Sequence, residues 1–168
     1  MGLATAVLFA VPAMAAVQLK TLAGNTATEN TSPFSNGDGA IIQGSTTSPL
    51  GTAIDHRLNF STTANLLANV TATPNTLKPQ FDITGLSYQI FDAATNTAVS
   101  GLVAASNLLT FAATAGTSYY VKFTGAVGGS LGGNYTGNVA FTPIPGALLL
   151  LGPALAGLGF VGYRRSRA

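Results

Sequence analysis

The residues able to do acid–base chemistry are few and scattered along this chain of 168 residues. It contains one histidine, five acidic residues and no cysteine. His56 lies between Asp55 and Arg57, and successive side chains of an extended strand point to opposite faces. Neither neighbour can therefore form a catalytic dyad with it. The absence of cysteine excludes disulfides, thiolate metal sites and a cysteine nucleophile. These residues predict a protein without catalytic residues, a metal site or a bound cofactor.

The glycine-rich stretch 125–133 is the other segment that could bind a reactive group. It lacks the Lys-Ser/Thr ending of a phosphate loop and lies between two predicted strands. We therefore interpret it as a hairpin connection.

The net positive charge of the chain comes from its C-terminal end. Three of the seven basic residues are Arg164, Arg165 and Arg167, and the remaining four are outnumbered by five acids. Nucleic-acid binding requires clustered Lys and Arg side chains to displace counterions from phosphates. The body of the chain has no such cluster, so the sequence argues against a nucleic-acid partner.

Two small sets of residues could bind a ligand. Tyr119, Tyr120 and Tyr135 could stack on sugars; alternation places Tyr119 and Tyr120 on opposite faces, so one is expected in the core and the other exposed. Asn36 and Asp38 could supply oxygens to calcium, but Asn-Gly-Asp-Gly is also a strong turn sequence. We favour the turn.

The sequence around these residues has the alternation of apolar and polar residues that is typical of β-strands. Residues 54, 56, 58 and 60 form an apolar face that alternates with polar residues. Further strands are predicted at 17–21, 40–43, 66–73, 86–91, 109–112, 118–124 and 134–141, with a loop over 26–39. Residues 102–109 fit either a strand or a helical turn. Short strands separated by Gly, Asn and Pro turns predict an all-β, antiparallel β-sandwich of the immunoglobulin-like or jelly-roll-like kind.

The N-terminal segment 1–15 has the pattern of an export signal helix. Residues 3–11 form a mostly apolar stretch, Pro12 follows, and Ala13-Met14-Ala15 gives the small-x-small pattern of a cleavage site. We expect the mature chain to begin near Ala16 or Val17.

The C-terminal segment 143–168 has the pattern of a membrane-spanning helix. Pro143, Ile144 and Pro145 precede an apolar run over 146–163, and the three arginines follow it. A run of about 17–25 apolar residues can cross a bilayer. Terminal arginines favour a cytoplasmic C-terminus.

This arrangement of signal, β-rich body, Pro-x-Pro, apolar segment and arginines resembles the PEP-CTERM proteins. The body is similar to the FxDxF-PEP-CTERM subgroup through 83–86, 115–121 and 132–137, with Ile54, His56 and Leu58 at the positions of Phe, Asp and Phe. Ile144 occupies the position of the glutamate in the family's Pro-Glu-Pro motif.

The resemblance implies a Gram-negative exported protein that is held in the inner membrane by its C-terminal helix. An exosortase, a membrane transpeptidase-like enzyme, would then process it for the cell surface or a biofilm matrix that contains exopolysaccharide. The expected division is a signal at 1–15, an N-terminal strand and polar loop at 16–52, a sandwich core at 53–142 and a sorting tail at 143–168. Two alternatives remain: a polysaccharide-binding module, and an unprocessed single-pass membrane protein.

Overall fold

The computed structural model describes residues 15–75 and 79–144. Within these ranges the fold is all-β, with one 3-10 turn at Pro79–Phe81. The strands are β1 Val17–Ala23, β2 Thr26–Asn30, β3 Gly39–Thr46, β4 Ala53–Ser61, β5 Leu66–Pro74, β6 Ile83–Asp92, β7 Val103–Ala104, β8 Leu109–Ala113, β9 Ser118–Val127 and β10 Gly133–Pro143. In this part of the chain no helix is long and apolar enough to span a membrane. The predicted signal helix and sorting helix lie outside the described residues, apart from Ala15, Pro143 and Ile144.

The strands form two five-stranded sheets that pack as a sandwich. Sheet A has the order β1-β3-β10-β5-β8, and sheet B has the order β2-β4-β9-β6-β7. The chain crosses to the other sheet at every step between consecutive strands except from β6 to β7. The sandwich prediction is therefore confirmed at the level of an all-β fold of two sheets.

Both sheets are mixed, which corrects the prediction of purely antiparallel pairing. β1 pairs with β3 in parallel, and β2 pairs with β4 in parallel. The cause is the path of the chain. After β1 the chain crosses to sheet B, where it forms β2, and then returns to sheet A as β3. This crossover allows β3 to run in the same direction as β1.

Alternating apolar residues fill the space between the sheets. In β4, Ile54, His56, Leu58 and Phe60 are buried while the residues between them are partly exposed. β5, β9 and β10 contribute matching inner faces, and one core cluster joins both sheets. The alternation of apolar and polar residues in these strands thus identifies the side chains that face the core.

Two predicted connections are wrong. The loop predicted over 26–39 contains β2, an edge strand without a fully buried residue. The hairpin predicted at 125–133 is not a hairpin, because β9 lies in sheet B and β10 in sheet A. Its glycines are required where the connection approaches other backbone; a Cβ on Gly132 would lie 2.1 Å from the Thr46 carbonyl oxygen.

The segment 16–52 is integrated into the sandwich rather than separate from it. It supplies β1 and β3 to sheet A and β2 to sheet B. The Gln18 side chain exchanges two hydrogen bonds with the backbone of Ser32, and the Lys20 ammonium donates to the Asn30 carbonyl at 2.5 Å. These hydrogen bonds connect edge strand β1 of sheet A to the end of β2 in sheet B and to the residues that follow it. They therefore join the two sheets along one edge of the sandwich.

Candidate functional site

The turn at residues 35–39 is organised by the carboxylate of Asp38. One of its oxygens accepts the Ser35 N–H at 2.6 Å, and the other accepts the Ala16 N–H at 2.7 Å. Gly37 has a φ of 84°, which glycine adopts without strain. The turn prediction for Asn36 and Asp38 is confirmed. Among the described residues, no group of three or more His, Asp or Glu side chains could hold a metal ion.

The same turn binds the beginning of β1 and the end of β10. The Gly39 N–H donates to the Ala16 carbonyl at 2.9 Å. The Gly37 N–H donates to the Phe141 carbonyl, and the Phe141 N–H donates to the Asp38 carbonyl, both at 2.9 Å. The residues that precede Ala15 and those that follow Ile144 are therefore attached at one end of the sandwich.

The residues predicted for processing lie close to this end. Ala15 is exposed and lies two residues before β1, while Ala13 is outside the described residues. Pro143 is the last residue of β10, pairs with Leu66 and is exposed, and Ile144 follows it directly. Pro145, Arg164, Arg165 and Arg167 lie outside the described residues.

Within its described strands, the outer face of sheet A has no charged side chain. Lys20 is the one charged residue in these five strands, and it bonds to Asn30 at the edge of the sandwich. Paired positions place polar uncharged residues in a row across four strands: Thr21, Gln43, Thr136 and Thr73. A neighbouring row is partly apolar and contains Leu19, Ile41, Asn138 and Thr71.

A shallow groove of about 680 Å³ follows the polar row. Its lining includes the Thr21, Gln43, Thr73 and Thr136 positions together with Asn134. Hydroxyl and amide groups both donate and accept hydrogen bonds. This surface can therefore bind a neutral polyhydroxylated ligand without displacing an ion pair.

The outer face of sheet B carries a charged cluster. The Asp55 carboxylate lies 2.9 Å from the Lys122 ammonium and 3.4 Å from Arg57 Nε. Burial alone would raise the pKa of Asp55, but hydrogen bonds and charge from Lys122 and Arg57 outweigh it and lower the pKa. Asp55 and Arg57 thus bond on the outer face, opposite His56, as the alternation predicted.

Tyr120 belongs to this outer face but is not exposed. Its ring stacks on Phe91 at a centroid distance of 5.0 Å, and the Arg57 guanidinium lies 5.2 Å from the ring centre. Its hydroxyl donates to Asn96. Tyr119 and Tyr120 do face opposite sides, but both are about 5–6% exposed, so the prediction that one is exposed is wrong. The reason is that long neighbouring side chains cover Tyr120 on the outside of the sheet.

His56 and Tyr135 form a buried contact between the sheets. His56 Nε2 lies 2.9 Å from the Gly24 carbonyl, which can only accept, so Nδ1 accepts the Tyr135 hydroxyl at 3.0 Å. Burial lowers the pKa of His56, although the Gly24 hydrogen bond and the charge of Asp55 act in the opposite direction. Burial also raises the pKa of the Tyr135 phenol. Both groups are therefore neutral, and they stabilise the core rather than present a site.

The connection from β9 to β10 contains a match that sequence reasoning missed. Residues 128–132 have the Gly-x-Ser-x-Gly spacing of a nucleophile elbow, centred on the exposed Ser130. A nucleophile elbow joins a strand to a helix, whereas this segment joins two strands. The chain's histidine, His56, is buried and bonded to Tyr135 and Gly24. The spacing alone therefore does not build a triad here.

Comparisons with known proteins give a distant structural likeness. No protein-family model and no curated protein sequence matches the chain. One similar solved structure is PliG of Aeromonas hydrophila, a periplasmic lysozyme inhibitor of g-type lysozyme. It is 12% identical, with a TM-score of 0.46, over 76% of this chain and 100% of PliG.

Proposed function

We propose that the chain is an exported, non-catalytic protein of a Gram-negative cell envelope or extracellular matrix, with a structural or adhesive role. Its N-terminal signal helix would direct export, and its C-terminal helix would hold an inner-membrane intermediate. An exosortase would then process the tail after Pro143-Ile144-Pro145. The mature sandwich would reside in an exopolysaccharide-containing biofilm matrix or at the cell surface.

The observation that carries this proposal is the shared position of the two ends. Ala16 and Phe141 both bond to the turn at residues 35–39. A precursor with a signal at one end and a membrane helix at the other must present both ends to the same membrane. This sandwich can do so without a long linker, because β10 ends at Pro143 itself.

Processing can be tested with two neighbouring substitutions at the exposed end of β10. Thr142 and Pro143 are both exposed there. We expect Pro143→Ala to accumulate full-length protein in the membrane fraction of the native host, while Thr142→Ala is released as the wild type is. Deletion of the host exosortase should have the same effect as Pro143→Ala. Wild-type protein that stays full-length in the membrane fraction, or is found in the cytoplasm, would contradict the proposal.

A second candidate function is polysaccharide binding on sheet A. The uncharged row formed by Thr21, Gln43, Thr136 and Thr73, and the groove along it, favour this candidate. Neutral polysaccharides offer many hydroxyl groups and little charge, so this face suits them better than the ion-paired face of sheet B.

Retention on immobilised exopolysaccharide from the native host tests this second function. We expect the double variant Gln43→Ala, Thr136→Ala to lose most of its retention. Thr28→Ala on the exposed edge of sheet B is the matched control and should bind as the wild type does. Equal retention of the wild type and both variants would contradict the proposal that the sheet A groove binds polysaccharide.

A further inference from the structure

The carboxylate of Asp38 has two backbone partners and no cationic side chain. Its oxygens accept the N–H groups of Ala16 and Ser35 at 2.7 and 2.6 Å. Both ion pairs found in the described part of the chain involve Asp55, so no side-chain nitrogen of a Lys, Arg or His there lies within 4 Å of the Asp38 carboxylate oxygens. The negative charge of Asp38 thus faces a neutral amide at Ala16 in the unprocessed chain.

The pairing of β1 fixes Ala16 from both of its backbone groups. Its N–H bonds to Asp38, and its carbonyl accepts the Gly39 N–H at 2.9 Å. The ladder between β1 and β3 then begins with Val17 opposite Gly39. Ala15 is exposed. The backbone hydrogen bonds of β1 to the rest of the fold therefore begin at Ala16.

We propose that Asp38 is the binding site for the new α-ammonium group of Ala16, which forms when the signal is removed between Ala15 and Ala16. This inference rests on the export proposed above. A signal peptidase uses water to break the bond between the Ala15 carbonyl carbon and Ala16 N. The hydroxyl goes to Ala15 and a proton goes to Ala16 N, which takes another proton near neutral pH. The neutral hydrogen bond at 2.7 Å then becomes an ion pair.

The geometry also selects between the two start sites that the sequence allows. A chain that begins at Ala16 places its ammonium group against the Asp38 carboxylate. A chain that begins at Val17 loses the bonded nitrogen and leaves that oxygen of Asp38 without its backbone partner. Cleavage after Ala15 is therefore the cut that completes the turn, and the mature protein is stabilised relative to its precursor.

The test compares the exported full chain with a form whose signal cannot be removed. Ala13→Phe blocks the small-residue recognition of a signal peptidase and leaves the amide at Ala16. We expect Asp38→Asn to lower the melting temperature more in the processed protein than in the Ala13→Phe protein, with a difference on the order of 2 °C. Melting can be followed in envelope extracts by protease resistance and immunoblot.

Asp92→Asn supplies the matched control. Asp92 also accepts two backbone N–H groups, from Ala94 and Thr95 at 2.9 Å, but it lies at the end of β6 in sheet B. Its substitution should lower the melting temperature equally in the two forms. An equal loss for Asp38→Asn would overturn the proposed ion pair.

The N-terminal residue of the exported protein separates this inference from the proposed function. We expect sequencing to give Ala16. A start at Val17 overturns the Asp38 site and leaves the export proposal standing. A start at Ala16 in a protein that keeps residues 146–168 supports the site and contradicts the sorting proposal. A chain that still begins at Met1 overturns both.

Discussion

The outer faces of the two sheets satisfy their polar groups in different ways. On sheet B, Arg57 and Lys122 both bond to Asp55, and Arg57 covers Tyr120. On sheet A, the row of Thr21, Gln43, Thr136 and Thr73 makes no side-chain hydrogen bond to the other described residues. The charged groups of sheet B are thus bonded within the protein, whereas this row on sheet A leaves its hydrogen-bonding groups available to solvent or a ligand.

This difference predicts that the outer face of sheet B contributes more to stability, and it makes the outer face of sheet A the better candidate for ligand binding. Removing a group from sheet B should cost stability, because its partners lose their bonds. Removing an outward group from sheet A should cost little stability and should change what the surface retains. The inner face of sheet A, in contrast, packs in the core cluster, so changes there should cost the most stability.

The largest effect is expected at the floor of the sheet A groove. A Cβ on Gly44 would lie 1.9 Å from the ring of Tyr135, its partner across β3 and β10. We predict that Gly44→Ala lowers the free energy of unfolding by about 2–3 kcal/mol, because the ring must move in a packed core. Chemical denaturation measures this. Gly101→Ala is the control, since a Cβ on Gly101 would meet no heavy atom of another part of the fold within 4 Å. Equal stability of both variants would mean that the groove floor is not fixed by Tyr135.

The next effect concerns the contact that joins the two sheets. Because the pKa of His56 is lowered in the fold, the unfolded chain binds a proton there more readily than the folded chain below about pH 6.5. Stability should therefore be complete above that pH and fall as the pH drops towards 5, by at most about 1.4 kcal/mol per pH unit.

Denaturation of the wild type and of His56→Gln at pH 7.5, 6 and 5 checks this slope. The variant should be less stable at pH 7.5 and should lose the dependence over this range. A slope that persists in the variant would assign the pH dependence to other groups.

A smaller effect is expected from the charged cluster of sheet B. Asp55→Asn removes the partner of both Lys122 and Arg57, and the groups are partly exposed. We predict a loss of about 0.5–1 kcal/mol at low salt. The loss should shrink in 1 M salt, which reduces the screening length to about 3 Å. A double-mutant cycle with Lys122→Gln isolates the pair, and zero coupling would mean that this face is not stabilised by its ions.

The smallest effect on stability is expected on the outer face of sheet A. The double variant Gln43→Ala, Thr136→Ala should unfold within about 0.5 kcal/mol of the wild type, because both side chains are exposed. Denaturation curves measured beside those of Asp55→Asn test the comparison directly. A loss larger than that of Asp55→Asn would show that sheet A, too, depends on its outer polar groups.

The sequence predicted the strands whose burial alternates. Ile54, His56, Leu58 and Phe60 identified β4, and similar patterns identified β9 and β10. β2 was missed because Thr26–Asn30 is an edge strand without a buried residue, so it has no apolar alternation. The parallel pairs could not be predicted, since the period of a strand does not identify its neighbour.

The site was less predictable than the fold because its contacts join distant residues. His56 was expected on the core face, but its bond to Tyr135 spans 79 positions. One of Tyr119 and Tyr120 was expected to be exposed, yet both are buried, because Arg57 and Phe91 cover Tyr120 on the outer face. The turn at Asp38 was predicted from Asn-Gly-Asp-Gly, whereas its bond to Ala16, 22 residues away, required the register of β1 and β3.

The intact mass of the protein released from the native envelope tests the central claim most directly. The account predicts a chain that begins at Ala16 and lacks the apolar run 146–163 and the three terminal arginines. A released protein whose mass includes residues 146–168 would contradict it.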